Sequence, residues 1–173
     1  IPAVTSISPA AGPLAGGNTV TIYGTGFGVG LTPVPTVSFG GTPATNVVVS
    51  AGPVITCTAP AAGIAGSVSV TVTTPGGTSN AVTYTYRNIP AVTSISPAAG
   101  SLAGGNTVTI YGTGFGVGLT PVPTVMFGSN PATNVVVSAG PVITCKTPAG
   151  SAGAVSVKVI TPGGTSNAVT YTY

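Results

Sequence analysis

Cys57 and Cys145 are the strongest nucleophiles in this sequence of 173 residues, and nothing beside them could activate a thiol. There is no Asp, Glu or His, and the only cations are Arg87, Lys146 and Lys158. A reactive thiolate needs a neighbouring base, and general acid–base catalysis needs a group titrating near neutral pH. The sequence therefore predicts no enzyme, and no catalytic residue is assigned. Calcium and magnesium need carboxylate oxygens, and zinc needs clustered His, Cys or carboxylate, so no metal or cofactor is expected either. The two cysteines share the strand parity of Ile55 and Ile143. That parity reads first as a small buried hydrophobe and second as an inter-subunit disulfide in a secreted chain.

Gly24-Thr25-Gly26-Phe27-Gly28-Val29-Gly30 has the glycine density of a phosphate loop but alternate spacing and no helix after it. It lacks the dinucleotide fingerprint and reads as a glycine-rich loop following a strand. The many outward Ser and Thr fit O-glycan acceptors, a flat water-ordering or sugar-binding face, or plain solvated strand residues. No Asn-x-Ser/Thr sequon is present. Tyr23 and Tyr111 share the outward parity and could stack on a sugar or on a neighbouring domain.

A net charge of +3 from scattered cations does not make the footprint that phosphate backbones require, so nucleic acid is not an expected partner. The same lack of charge removes the repulsion that keeps domains apart, which favours self-association. Every apolar stretch is interrupted well short of the roughly 18 residues of a spanning helix, so no membrane span is expected. The chain opens at Ile1 without the features of a signal peptide, and both ends fall in phase with an internal repeat. It reads as a processed product, or as a piece of a longer array.

That repeat organises the chain. Ile1–Tyr86, opening IPAVTSISPAAG and closing TSNAVTYTY, returns almost letter for letter as Ile89–Tyr173 after Arg87-Asn88. The expected organisation is a domain over 1–86, a linker at 87–88 and a second domain over 89–173. Within each copy, short period-2 runs alternate with Gly and Pro, which signals an all-β sandwich. Thr19–Tyr23, Thr36–Phe39 and Ser67–Val72 alternate, with Val and Ile inward and hydroxyls outward. Val4–Ile7, Asn46–Ser50, Val54–Thr58 and Ala81–Tyr86 complete about seven strands per copy. Pro9 to Gly17, Gly40 to Pro43, Gly52-Pro53 and Pro75 to Gly77 read as breakers. The short, proline-bearing junction Tyr86–Pro90 predicts a semi-rigid tandem of separate beads.

Val4-Thr5-Ser6-Ile7-Ser8-Pro9, Ala15–Ile22 and Gly24-Thr25-Gly26-Phe27 closely resemble the opening of the immunoglobulin-like plexin and transcription-factor domain, IPT/TIG. The resemblance continues through Val37–Ala44, Ile55–Pro60 and Val70–Gly77 and covers both copies. It implies two tandem immunoglobulin-like sandwiches of a type found in receptors, transcription factors, extracellular carbohydrate-active enzymes and long bacterial surface proteins, the last being nearest in idiom. It also implies a cysteine bridge, known from receptor versions, between the Ala44 position and Cys57; with Ala44 in place, that bridge is missing. The basic DNA-binding loops of the transcription-factor versions have no match. Self-catalysed isopeptide bonds, used by some pilus domains, need an acid that this chain lacks.

Among the differences between the copies, Ser38 becomes Met126, Thr71 becomes Lys158 and Thr73 becomes Ile160, all at outward parity. In an immunoglobulin-like sandwich these strands are neighbours, so the second domain gains an amphipathic patch. Met126, Lys158 and Ile160, with Tyr23 and Tyr111, are the candidate assembly contacts, and neutral drift is the competing account. The reading that follows is a nonenzymatic structural repeat of an extracellular or cell-surface appendage or filament, assembling with copies of itself. The alternative is a carbohydrate-binding or adhesive module of a larger surface protein or secreted enzyme, with glycans as partners. A consensus-like designed tandem would explain the identity of the copies but not the divergent patch.

Overall fold

A computed structural model of the chain describes residues 1–116, 121–139 and 142–173. Its internal contacts divide it into two compact units, Ile1–Arg87 and Asn88–Tyr173. The first unit contains β1 (Ala3–Ser8), β2 (Ala11–Pro13), β3 (Thr19–Thr25), β4 (Thr36–Phe39) and β5 (Thr42–Pro43). It continues with β6 (Thr45–Ser50), β7 (Val54–Thr58), β8 (Gly66–Thr74), β9 (Gly77–Thr78) and β10 (Val82–Arg87). One sheet runs β1-β3-β7-β6 and the other β2-β10-β8-β4-β5, with β9 also on β8. This is the immunoglobulin division of strands between two packed sheets.

The alternation read from the sequence is what closes the sandwich. Val20 and Ile22 on β3, Ile55 and Cys57 on β7, Val37 and Phe39 on β4 and Val70 and Val72 on β8 are all buried between the sheets. Each wholly buried aliphatic side chain contributes about 1.5–3 kcal/mol relative to exposure. Tyr84 packs edge-on against Phe39 at 5.1 Å and against Tyr86 at 5.1 Å, filling the β10 end of the core. Gly24 permits the close crossing of β1 and β3, since a Cβ there would overlap the Ala3 carbonyl oxygen and come within 2.5 Å of the Phe27 ring.

The second unit contains β11 (Ala91–Ser96), β12 (Thr107–Thr113), β13 (Thr124–Phe127), β14 (Asn130–Pro131) and β15 (Thr133–Ser138). β16 (Val142–Lys146), β17 (Ala154–Thr161), β18 (Gly164–Thr165) and β19 (Val169–Thr172) follow. Its sheets run β11-β12-β16-β15 and β14-β13-β17-β18, with β19 on β17. The counterpart of β2 shrinks to a single parallel bridge, Ala99 to Thr172.

The breaker segments do more than turn the chain. β2, β5 and β9 arise inside stretches that Gly and Pro mark as loops, because closing the sandwich lays them beside longer strands. β2 pairs in parallel with β10 through Thr85–Ala11, Tyr86–Gly12 and Arg87–Pro13. Proline is tolerated in β2 and β5 because both lie at sheet edges, where one side of the backbone needs no ladder partner.

Candidate functional site

On β13 and β17 the outward residues Met126, Lys158 and Ile160 lie on adjacent strands. Met126 and Lys158 are direct cross-strand partners, and Ile160 faces Thr124 one step along the same ladder. Met126 is half-buried, Lys158 is exposed, and Ile160 retains 40% of its surface. An apolar pair with an ammonium between them makes a surface that a second apolar body can cover while the Lys head stays in water.

The same positions in the first unit are entirely hydroxylic. Ser38 faces Thr71 and Thr36 faces Thr73. Ser69 faces Thr83 and Ser67 faces Thr85 across to β10. Neighbouring hydroxyls bond each other, Ser67 with Thr85 at 3.1 Å and Thr73 with Thr78 at 3.1 Å. These cross-strand contacts serve the sheet itself, as Thr and Ser pairs on solvated faces do.

Tyr23 and Tyr111 stand on the other sheet. Tyr23 lies between Ser6 and Val54, and Tyr111 between Ser94 and Val142. They are 42% and 43% exposed. Tyr111 and the Met126 patch therefore occupy opposite faces of their sandwich, and the fold does not gather the five candidate contacts into one surface.

The cysteines require a correction. Cys57 and Cys145 are each 1% exposed, paired in register with Val20 and Val108 inside the two cores. Burial pushes each thiol up to about 11, so both are protonated at neutral pH. An inter-subunit disulfide needs its sulfur at the surface, and this placement rules that role out for the folded chain. The buried-hydrophobe reading is the one the geometry fits.

In the glycine-rich loop, Gly26, Gly28 and Gly30 have φ of 73°, 64° and 76°. These values lie in the left-handed region, so backbone shape accounts for the glycines.

Sequence reasoning missed Asn80 and Asn167. Asn80 accepts the Val4 N–H at 2.9 Å and donates to the Val4 carbonyl at 2.8 Å, closing both backbone groups of β1 at that point. Asn167 does the same for Val92, at 2.9 and 2.8 Å. The only signal was an Asn at the same place in both copies, just before the last strand. No helix among the described residues is long and apolar enough to cross a membrane.

The model of the IPT/TIG domain family matches this chain twice, over residues 2–86 and 90–173. The chain belongs to the IPT/TIG family. Its sequence is similar to fibrocystin-L of Mus musculus, 46% identical over 70 residues, a match covering 40% of this chain and 2% of that protein. The Homo sapiens fibrocystin-L match is 43% identical over 70 residues, again 40% of this chain and 2% of the relative. Among solved structures, the plexin A4 extracellular region, domains 1 to 10, superposes with a TM-score of 0.62 at 24% identity. That match takes in 99% of this chain and 15% of that one, and at such identity it speaks for the IPT/TIG fold alone. The chain thus spans a small fraction of the relatives it matches.

Proposed function

We propose that these two IPT/TIG units form a nonenzymatic structural repeat of an extracellular surface protein, assembling with further copies of itself through contacts between domains. The observation that carries the reading is the patch on β13 and β17. Three differences between near-identical copies converge on adjacent outward positions, and they replace hydroxyls with Met126, Lys158 and Ile160. The absence of any carboxylate or His from the sequence supports a noncatalytic role, and the low charge supports close approach of copies. A contact between unlike surfaces of successive copies would propagate as an open filament rather than close into a ring. Family membership and the surface-protein idiom of the sequence are in keeping with a place outside the cell.

The test restores the first unit's residues in the second: Met126→Ser, Lys158→Thr and Ile160→Thr together. Sedimentation velocity and negative-stain microscopy over a concentration series should show filaments or oligomers for the native chain and their loss in the triple variant. Unchanged assembly in the variant would remove the patch from the contact.

A second reading, a carbohydrate-binding or adhesive module, is favoured by Tyr23 and Tyr111, exposed at the same place in both units. Glycan-array binding by monomeric protein, lost on Tyr23→Ala with Tyr111→Ala, would select it.

A further inference from the structure

The outermost strands of these sandwiches are protected unequally. On β1 the Asn80 side chain occupies the N–H and carbonyl of Val4, and Asn167 treats Val92 on β11 in the same way. β2 is three residues long and ends in Pro13. β5 and β14 are two residues each and carry Pro43 and Pro131. The outer side of β19 is taken by the segment before β12, with Thr172 bonded to the Ala98 carbonyl at 2.9 Å and Gly100 bonded to the Thr172 carbonyl at 3.0 Å. Capping side chains, proline and short length are the devices by which sheets avoid pairing at their edges.

β6 and β15 have none of these. Both read TNVVVS, with neither a charge nor a proline, and both pair on a single side, with β7 and β16. Among the described residues their one safeguard is a bulge at Asn46 and Asn134, where φ is 50° and 51° and the register shifts before Val48 and Val136. The bulge leaves Val47–Ser50 and Val135–Ser138 as the open runs. Lys146 on β16 does not guard its neighbour, because its ammonium is held at 3.2 Å by the Gly105 carbonyl, beside β12 rather than β15.

The surface flanking the open run is apolar. Val34 and Val48 are 56% and 55% exposed, and their counterparts Val122 and Val136 are 55% and 54%. In the first unit a depression of about 230 Å³, lined by Leu31, Val34 and Val47–Val49, continues the edge.

Resting on the self-assembly reading above, we infer that the β6 and β15 edges pair with the same edges of a second copy of this chain, each adding a strand to the other's sheet. An open edge is completed by another strand, through a row of backbone hydrogen bonds with side-chain contacts alternating on either face. The chain supplies that strand itself, in two identical versions, and no charge on either opposes the approach. Val48 of one copy then packs beside Val48 or Val136 of the next.

The test uses the full chain with Val48→Lys and Val136→Lys, two exposed positions where the change leaves the core intact. Lysines brought together across a contact weaken it by about tenfold or more, so the concentration at which copies associate should rise by at least that factor. Peptide-resolved hydrogen exchange on the native chain should show residues 47–50 and 135–138 more protected in the assembled form than when dilute, the gain falling on the amides that do not bond β7 or β16. An assembled chain whose edge amides still exchange freely would overturn edge pairing and leave the patch on β13 and β17 as the contact. A chain that stays monomeric at every concentration would overturn both, and an unmoved association curve in the lysine variant would overturn edge pairing alone.

Discussion

Two tyrosines at equivalent places in the two cores fare differently. Tyr84 and Asn18 form a reciprocal pair, the amide donating to the hydroxyl at 2.9 Å and the hydroxyl donating back at 3.1 Å. Tyr171 is as deeply buried, yet its hydroxyl has no hydrogen-bond partner among the described residues. The two units also differ five residues before each Asn. Pro13 has no N–H to offer, whereas Ser101 donates its backbone N–H to the Asn106 side-chain oxygen at 3.3 Å and its hydroxyl at 3.5 Å. In the second unit the half-buried Asn106 oxygen is thus engaged by the loop rather than by the tyrosine hydroxyl. Identical strands do not guarantee identical polar balance, because a buried donor left unpaired costs about 1–3 kcal/mol.

The largest effect should also be the most symmetrical: Ile22→Ala and Ile110→Ala each empty a fully buried site and should each destabilise their own unit by about 2–5 kcal/mol. Urea unfolding followed by peptide-resolved hydrogen exchange reads each unit separately, and a clear difference between the two would mean that the cores are not equivalent. Next in size are the polar variants. Asn18→Ala should cost its unit about 1–3 kcal/mol by stranding Tyr84, while Asn106→Ala should cost less, since Tyr171 is already unpaired. Ser101→Pro, which removes the competing N–H, should stabilise the second unit by about 0.4–1 kcal/mol by restricting the unfolded chain. It should gain further if Asn106 turns to Tyr171, and a loss of stability would show that the loop cannot adopt the Pro13 arrangement.

The smallest effect is expected from acid. With no Asp, Glu or His to titrate, stability should barely change between about pH 4 and pH 8, in contrast to proteins whose carboxylates are paired in the native state. The alkaline side differs. Cys57 and Cys145 are raised by burial from 9.0 to about 11, so the folded state holds its thiol protons more tightly than the unfolded state does. Their contribution is complete below pH 9 and is lost as pH rises through about 11. Thermal unfolding across pH, with thiol labelling in parallel, should show flat stability in acid, decline in base and no labelling until unfolding. Rapid labelling of native protein at pH 8 would contradict the burial of both thiols.

Much of the fold was legible in the residues. Thr19–Tyr23 and Ser67–Val72 alternate so regularly that their inward faces could be named, and the offset between copies placed Met126, Lys158 and Ile160 on neighbouring strands. The site was less legible. Nothing local distinguishes an outward Tyr23 on one sheet from an outward Met126 on the other. Parity says only that a side chain leaves the core, and the sheet it leaves from depends on how the strands are dealt between the two layers.

The sequence by itself determined the all-β class, the duplication, the buried parity of the cysteines and the exclusion of carboxylate or imidazole chemistry, because composition and period-2 patterning are local properties. Only the tertiary structure decided which edges are closed and which hydroxyl is satisfied. Asn80 reaches a Val4 that is 76 residues away, and Asn18 a Tyr84 that is 66 away. Hydrogen bonds of that reach exist only after the two sheets have closed, since a partner distant in the chain is fixed by packing and not by its neighbours in sequence.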